Sequence, residues 1–119
     1  MSRLMRSFSF AIQGIIYTIA SEPNMKIHFA AAAAAITMAA VFGISRVEWG
    51  LLCLTIFMVL IAESINTALE RAVDLSNPET HPLAKAAKDA AAGGVLLAAL
   101  SSIFMAVIIF GPYIIKLCK

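Results

Sequence analysis

Three long apolar segments constrain the fold of this 119-residue chain more than any other feature of its sequence. They cover residues 27–44, 49–73 and 90–110, approximately. Each is close to the ~20 residues that an α-helix needs to cross the hydrocarbon core of a bilayer. Hydrophobic residues make up 61% of the chain and charged residues 13%, against about 45–50% and about 25% in soluble domains. The sequence therefore predicts an all-α integral membrane protein that forms one domain over residues 1–119.

A shorter segment before these three predicts a fourth helix of a different kind, over about residues 4–20. Apolar side chains recur in it at helical spacing between polar ones, namely at Leu4, Phe8, Ala11, Ile12, Ile15 and Ile19. This pattern is typical of an amphipathic helix that lies in the membrane interface. A cleaved signal peptide is the alternative, but Gln13 and Gly14 interrupt the apolar stretch and no good Ala-x-Ala cleavage site follows it.

The segment ends and the distribution of charge predict how the chain crosses the membrane. Pro82 suits the first turn of the last helix, and Gly111-Pro112 is expected to end it. Three membrane spans place the two termini on opposite sides of the membrane. Six Lys and Arg side chains (3, 6, 26, 71, 85 and 88) then lie on the side of the N-terminus and three (46, 116 and 119) on the other side. The positive-inside rule then places the N-terminus in the cytoplasm. The mild net charge of +2 and the lack of a basic run with aromatic residues argue against nucleic-acid binding.

A stripe of polar side chains lies on the second apolar segment. At about 100° per residue, Glu63, Asn66, Glu70 and Asp74 fall within an arc of about 80° on one helix. An ionisable group inside a transmembrane helix is costly and indicates function. The alternative is that the stripe marks the end of the span, with carboxylates reaching into water. That alternative suits Asp74 but not Glu63, which lies about 16 Å deeper along the helix axis.

Two smaller polar groups flank the apolar segments. Lys85, Lys88 and Asp89 open the last helix, where lysines and free backbone amides suit a phosphate ligand, although a Lys85–Asp89 pair with simple interfacial anchoring fits the same spacing. Glu22 lies between the first two helices and could merely cap a helix. With Glu70 and Asp74 it could also supply oxygen ligands to Mg²⁺, which prefers carboxylates and substrate phosphates. His28 and His81 are isolated in sequence, and a zinc site is not expected.

The stripe and its flanking groups resemble a known family. Residues 63–74, with the sequence Glu-Ser-Ile-Asn-Thr-Ala-Leu-Glu-Arg-Ala-Val-Asp, resemble the signature of the bacterial diacylglycerol kinase and undecaprenol kinase family. Ala87-Lys88-Asp89 resembles its second motif and the region around Glu22 its third. Residues 22–24, 26–28 and 81–85 resemble the undecaprenol kinase branch more closely, while Pro23 and Met25 depart from the usual basic and aromatic residues.

The resemblance implies a homotrimer in the bacterial inner membrane, with MgATP as phosphoryl donor and active sites shared between subunits near the cytoplasmic face. It implies that Glu63 is the catalytic base and that Glu22 and Glu70 bind the metal. The remaining positions that it assigns to the nucleotide, the substrate or their support are Arg3, Phe10, Gln13, Asn66, Asp74, Glu79, Thr80, His81, Lys88 and Asp89.

These expectations combine into one hypothesis, the phosphorylation of a membrane lipid alcohol by ATP. Undecaprenol is the favoured acceptor and diacylglycerol the second. The competing class is a small non-enzymatic bundle, such as a proton-coupled transporter subunit, in which Glu63 alone would relay protons. That class does not explain Lys88 and Asp89 or the concentration of motifs towards one face.

Overall fold

The structure is a computed structural model that describes residues 1–76 and 81–119 of the chain. Within these two ranges it contains four helices and no strand, so the all-α prediction is confirmed. The helices are α1 (Arg3–Ser21), α2 (Pro23–Phe42), α3 (Arg46–Ser76) and α4 (Pro82–Leu117). Of the described helices, α2, α3 and α4 are long and apolar enough to cross a membrane. At 1.5 Å per residue α3 is about 46 Å long, which exceeds the ~30 Å hydrocarbon core.

Local chemistry sets the helix boundaries. Pro23 is the first residue of α2, and because proline disfavours the helical conformation in the residue before it, Glu22 is extended and separates α1 from α2. Gly43 ends α2 with a φ of 63°, a left-handed conformation that glycine adopts without a steric penalty. A capping box begins α3, in which Ser45 and Glu48 each accept a hydrogen bond from the other's backbone N–H.

The last helix is longer than predicted. The expectation that Gly111-Pro112 ends it is wrong, because α4 continues through the proline to Leu117. Proline removes one interior hydrogen bond and crowds the preceding turn, but contacts beyond it hold the helix in place. The ring of Tyr113 stacks on Phe42 with centroids 5.6 Å apart, and its hydroxyl donates to Glu48 Oε1 at 2.9 Å.

The apolar core cluster lies at one end of the molecule, where the end of α2, the start of α3 and the end of α4 meet. The buried cluster there is entirely apolar and consists of Ala39, Ile44, Leu52, Ile109 and Phe110. Elsewhere many large apolar side chains are exposed on the isolated chain, including Leu54, Leu97 and Phe104. Such surface is far larger than a soluble monomer tolerates, so it suits lipid or other protein.

Overpacking at the buried end should destabilise the bundle. Ala39 has no exposed surface, so Ala39→Leu forces side chains apart and should lower the free energy of unfolding by about 1–3 kcal/mol. The matched control is Ala40→Leu, one residue further on and exposed. Thermal unfolding in detergent should show a lower Tm for the first variant alone. Equal losses in both would contradict the packing described here.

Candidate active site

The polar stripe of α3 runs from a buried end to an exposed one. Glu63 is 1% exposed and Asn66 7%, whereas the side chains of Glu70 and Asp74 are 30% and 55% exposed. Thr67, beside them, is also buried and donates its hydroxyl hydrogen to the Glu63 carbonyl oxygen at 3.0 Å. The helix therefore carries carboxyl groups from the protein interior to the surface along one face.

Glu63 lies in an unusual environment for a carboxyl group. Neither of its carboxylate oxygens has a hydrogen-bond partner among the described residues. Its nearest basic atom is Nε2 of His28 on α2, 3.6 Å from Oε2, and that nitrogen is also buried without a hydrogen bond. Buried polar atoms are normally hydrogen-bonded, so each exception requires an explanation.

Arg71 contacts both of the carboxylates that the family resemblance assigns to a metal ion. Its Nη2 contacts Glu22 Oε1, and its Nη1 lies 3.9 Å from Glu70 Oε2. Its Nε donates to the hydroxyl of Tyr17 on α1 at 2.8 Å. The loop before α2, the end of α1 and the polar face of α3 thus meet on one guanidinium group.

These residues fit a magnesium ion by their chemistry. Glu22 and Glu70 both contact the guanidinium group of Arg71, and hard carboxylate oxygens are what Mg²⁺ prefers. Asn66 donates from Nδ2 to Glu70 Oε1 at 3.2 Å, while its Oδ1 is buried without a hydrogen-bond partner in the described ranges. No group of three or more His, Cys, Asp or Glu arranged to hold a metal occurs among residues 1–76 and 81–119. Two carboxylates completed by substrate oxygens remain compatible with that finding.

The lysines at the start of α4 have different partners. Lys88 Nζ lies 2.7 Å from Asp74 Oδ1 and so joins the α3 stripe. Lys85 pairs instead with Asp89 at 2.6 Å, one turn along its own helix, which is the simple pairing that the spacing allowed. Both pairs are substantially exposed, and exposed pairs contribute little to stability. Lys88 is therefore brought to the stripe, whereas Asp89 is directed to Lys85.

The structure does not bring every residue assigned by resemblance to this cluster. Arg3, Phe10 and Gln13 are exposed on α1, and Gln13 donates to Ser9 on the same helix at 3.1 Å. His81 caps α4, its Nδ1 accepting from the backbone N–H of Leu83 at 3.1 Å. Glu79 and Thr80 lie outside the described residues.

An apolar groove lies beside the buried end of the stripe. It encloses about 170 Å³ between α2, α3 and α4. Its lining includes His28, Phe110 and alanines 31, 32 and 35. The groove therefore reaches the buried carboxyl group through His28, which lies 3.6 Å from Glu63.

Sequence reasoning missed three residues of this cluster: Tyr17, His28 and Arg71. Helical spacing orders residues on one helix but does not give the rotation of a neighbouring helix, so it could not pair His28 with Glu63. Arg71 follows Glu70 directly and could have been suspected as a charge partner. Tyr17 gave no signal beyond its place near the end of α1.

Taken together, the site combines a proton acceptor, a set of acidic oxygens and a lysine. A buried carboxyl group within reach of an apolar surface can take a proton from a lipid hydroxyl. Acidic oxygens with a nearby lysine can hold a metal–phosphate group. These groups suit phosphoryl transfer, because positioning and charge neutralisation dominate the catalysis of that reaction.

Comparison with known proteins agrees with this chemistry. Residues 9–110 match the family model described as prokaryotic diacylglycerol kinase. Over 112 residues the chain is 41% identical to the undecaprenol kinase of Bacillus subtilis, covering 94% of this chain and 91% of the relative. It is 39% identical to a diacylglycerol kinase of Synechocystis, covering 96% and 66%. It is 33% identical to a diacylglycerol kinase of Helicobacter pylori J99, covering 97% and 87%.

The family match covers most of the chain and includes every element of the buried site. It decides against the non-enzymatic bundle, because the relatives are named as kinases of lipids. Together with the three apolar helices it identifies a multi-pass membrane protein. The chain belongs to the prokaryotic diacylglycerol kinase family and is a membrane lipid kinase.

Proposed function

We propose that this kinase transfers the γ-phosphoryl group of ATP to the primary hydroxyl of a membrane lipid alcohol, with undecaprenol the favoured acceptor and diacylglycerol the second. The observation that carries the proposal is the gradient along α3. Glu63 is fully buried without a hydrogen bond to its carboxylate oxygens in the described residues. Asp74, three turns away, is exposed and paired with a lysine. One end of the stripe suits a lipid hydroxyl and the other a charged nucleotide.

Each residue of the stripe then has a chemical task. Glu63 accepts the proton of the lipid hydroxyl as its oxygen attacks the γ-phosphorus of ATP in line with the leaving oxygen. Glu22 and Glu70 hold Mg²⁺, which when bound neutralises charge on the phosphate oxygens. Lys88 adds positive charge at the phosphates, while Asn66 and Asp74 orient the carboxylate and lysine that they contact.

The nucleotide is assigned to the surface formed by the start of α4 and the exposed face of α1. By resemblance the nucleotide contacts Arg3, Phe10, Asp89 and residues 79–81, and Gln13 faces the substrate. In the isolated chain the α1 side chains are exposed and free to reach a ligand. As the resemblance implies, we propose that a neighbouring subunit of a homotrimer completes the site.

The membrane placement follows from the same arrangement. We place the protein in the bacterial inner membrane, with α1 in the interface and both the N-terminus and the active site on the cytoplasmic side. Four of the cationic residues assigned to that side lie at the polar end of the bundle: Lys26, Arg71, Lys85 and Lys88. The cytoplasm is also where ATP is available. The exposed apolar side chains of α2, α3 and α4 would contact lipid and the other subunits.

Undecaprenol is favoured over diacylglycerol by two observations. The relative that carries the undecaprenol kinase name is 41% identical over almost all of both chains. Residues 22–24, 26–28 and 81–85 also resemble the undecaprenol kinase branch more closely. Both lipids present a primary hydroxyl at the membrane surface, so the same chemistry serves either acceptor.

The choice of acceptor is tested with radiolabelled ATP and the purified kinase in mixed micelles. Undecaprenol and diacylglycerol are offered separately and then in competition at equal mole fraction. We expect label in both lipids, with a higher kcat/KM for undecaprenol. A higher value for diacylglycerol would reverse the order of acceptors, and no label in any lipid alcohol would refute the proposed reaction.

Removing the proposed base should abolish most of the activity. Glu63→Gln keeps the size of the side chain but cannot accept a proton, so kcat should fall by about 10²- to 10⁴-fold. The matched control is Glu48→Gln at the other end of α3, where glutamine can still serve the capping box. That variant should retain kcat within about twofold. Parent-level turnover in Glu63→Gln would remove this residue from the base position.

Substitutions of two neighbouring residues, Glu70 and Arg71, should change the Mg²⁺ requirement of the kinase in opposite directions. Glu70→Ala removes a proposed ligand and should raise the Mg²⁺ concentration needed for half-maximal activity. Arg71→Gln removes the cation that contacts Glu22 and Glu70, so it should lower that concentration. Titration of Mg²⁺ in the kinase assay, with Mn²⁺ binding followed by electron paramagnetic resonance, measures both effects. Unchanged titrations in Glu70→Ala would exclude it as a ligand.

A further inference from the structure

The contact between His28 and Glu63 is the feature of the site that the proposed chemistry leaves unused. His28 Nε2 faces Glu63 Oε2 at 3.6 Å from the neighbouring helix α2. The carboxyl side chain is 1% exposed and the imidazole 17%. Neither Nε2 nor either carboxylate oxygen has a hydrogen-bond partner within the described ranges. Two unsatisfied groups thus face each other in a largely dry environment.

One hydrogen atom on His28 Nε2 would give both of these unsatisfied groups a partner. When Nε2 carries hydrogen it is a donor, and a carboxylate is an acceptor only. The separation exceeds hydrogen-bond length by about 0.4 Å, which a small rotation of either side chain can close. A buried charged group without a hydrogen bond costs free energy, so a hydrogen bond between these two atoms would stabilise the structure.

The other charged groups near Glu63 cannot take the place of His28. The carboxylates Glu22 and Glu70 are acceptors only when ionised, so neither can donate a hydrogen bond to Glu63. Arg71 lies between those two carboxylates. On α4, Lys88 is paired with Asp74. On α1, the buried Thr18 donates its hydroxyl hydrogen to the Gly14 carbonyl oxygen of its own helix. His28 is therefore the donor placed to serve the base.

We infer that His28 is a positioning residue of the kinase: its Nε2–H donates to the Glu63 carboxylate and fixes the orientation in which Glu63 accepts the hydroxyl proton. The inference rests on the proposed role of Glu63. Hydrogen bonding to one carboxylate oxygen leaves the other directed at the lipid hydroxyl. His28 itself touches neither the nucleotide nor the reacting atoms in this scheme.

Two substitutions separate positioning from packing. His28→Leu fills a similar volume without a donor, whereas His28→Gln carries an amide N–H at about the position of Nε2. For the leucine variant we expect kcat to fall about 10- to 100-fold, the value of one hydrogen bond to a charged group. The KM values for ATP and lipid should stay within about twofold. The glutamine variant should recover kcat to within about fivefold of the parent. Phe29→Leu, at the exposed neighbouring residue of α2, should behave as the parent.

Infrared spectroscopy tests the contact without using activity. Subtracting the spectrum of Glu63→Gln from that of the parent isolates the Glu63 carboxyl band. This band should shift in the His28→Leu background and return towards its parent position in His28→Gln. The measurement remains valid even if Glu63→Gln proves active, so failure of the proposed base and failure of the His28 contact can be told apart.

Four outcomes would overturn the inference. One is parent-level kcat in His28→Leu. The second is equal loss in His28→Leu and His28→Gln, which would show that restoring an N–H donor does not restore the function of the base. The third is a Glu63 carboxyl band that does not move in His28→Leu. A rise in KM that accounts for the whole loss of kcat/KM would also contradict positioning of the base.

Discussion

The cost of placing carboxyl groups within an apolar helix bundle governs the rest of this structure. A charged group away from water requires a partner. Three carboxyl groups are concerned here: Glu22 and Glu70, which contact the same guanidinium group, and Glu63, about two turns before Glu70 on α3. The chain meets this requirement with partners from separate elements. Arg71 contacts two of the carboxylates and Tyr17, and His28 faces the third. The junction between α1, α2 and α3 is thus held by the same groups that we propose carry out catalysis.

The opposite end of the molecule provides a fixed frame for this polar region. Ala39, Leu52 and Phe110 are buried together where α2, α3 and α4 meet, and Tyr113 ties the end of α4 to the start of α3. Apolar contacts at that end need no ligand to satisfy them, whereas the polar end has orphan atoms in the described residues. The two ends of the bundle are thus held by different interactions, apolar packing at one end and charged contacts at the other.

The sequence predicted the parts of this structure that depend on a single helix. Segment length and hydropathy indicate α2, α3 and α4, and the helical phase of Glu63, Asn66, Glu70 and Asp74 indicates one stripe whose exposure rises along α3. Contacts between helices depend on rotation and depth, which periodicity does not supply. For that reason sequence reasoning missed His28. Sequence reasoning also predicted, wrongly, that Pro112 ends α4. The contact of Tyr113 that stabilises the helix beyond this proline is with a residue more than 60 positions away, so the local sequence does not reveal it.

Arg71 affects both the charge balance of the site and the way in which its carboxylates can bind a metal ion. In the chain without ligands its guanidinium neutralises Glu22 and Glu70, which lowers the cost of bringing like charges together. The same contact occupies the oxygens that we assign to Mg²⁺, so metal binding must displace or share this cation. If MgATP is the phosphoryl donor, as we propose, its binding would exchange one positive partner of these carboxylates for another. Part of the binding free energy would be used in that exchange, while Arg71 keeps Glu22 and Glu70 from facing each other as unpaired like charges.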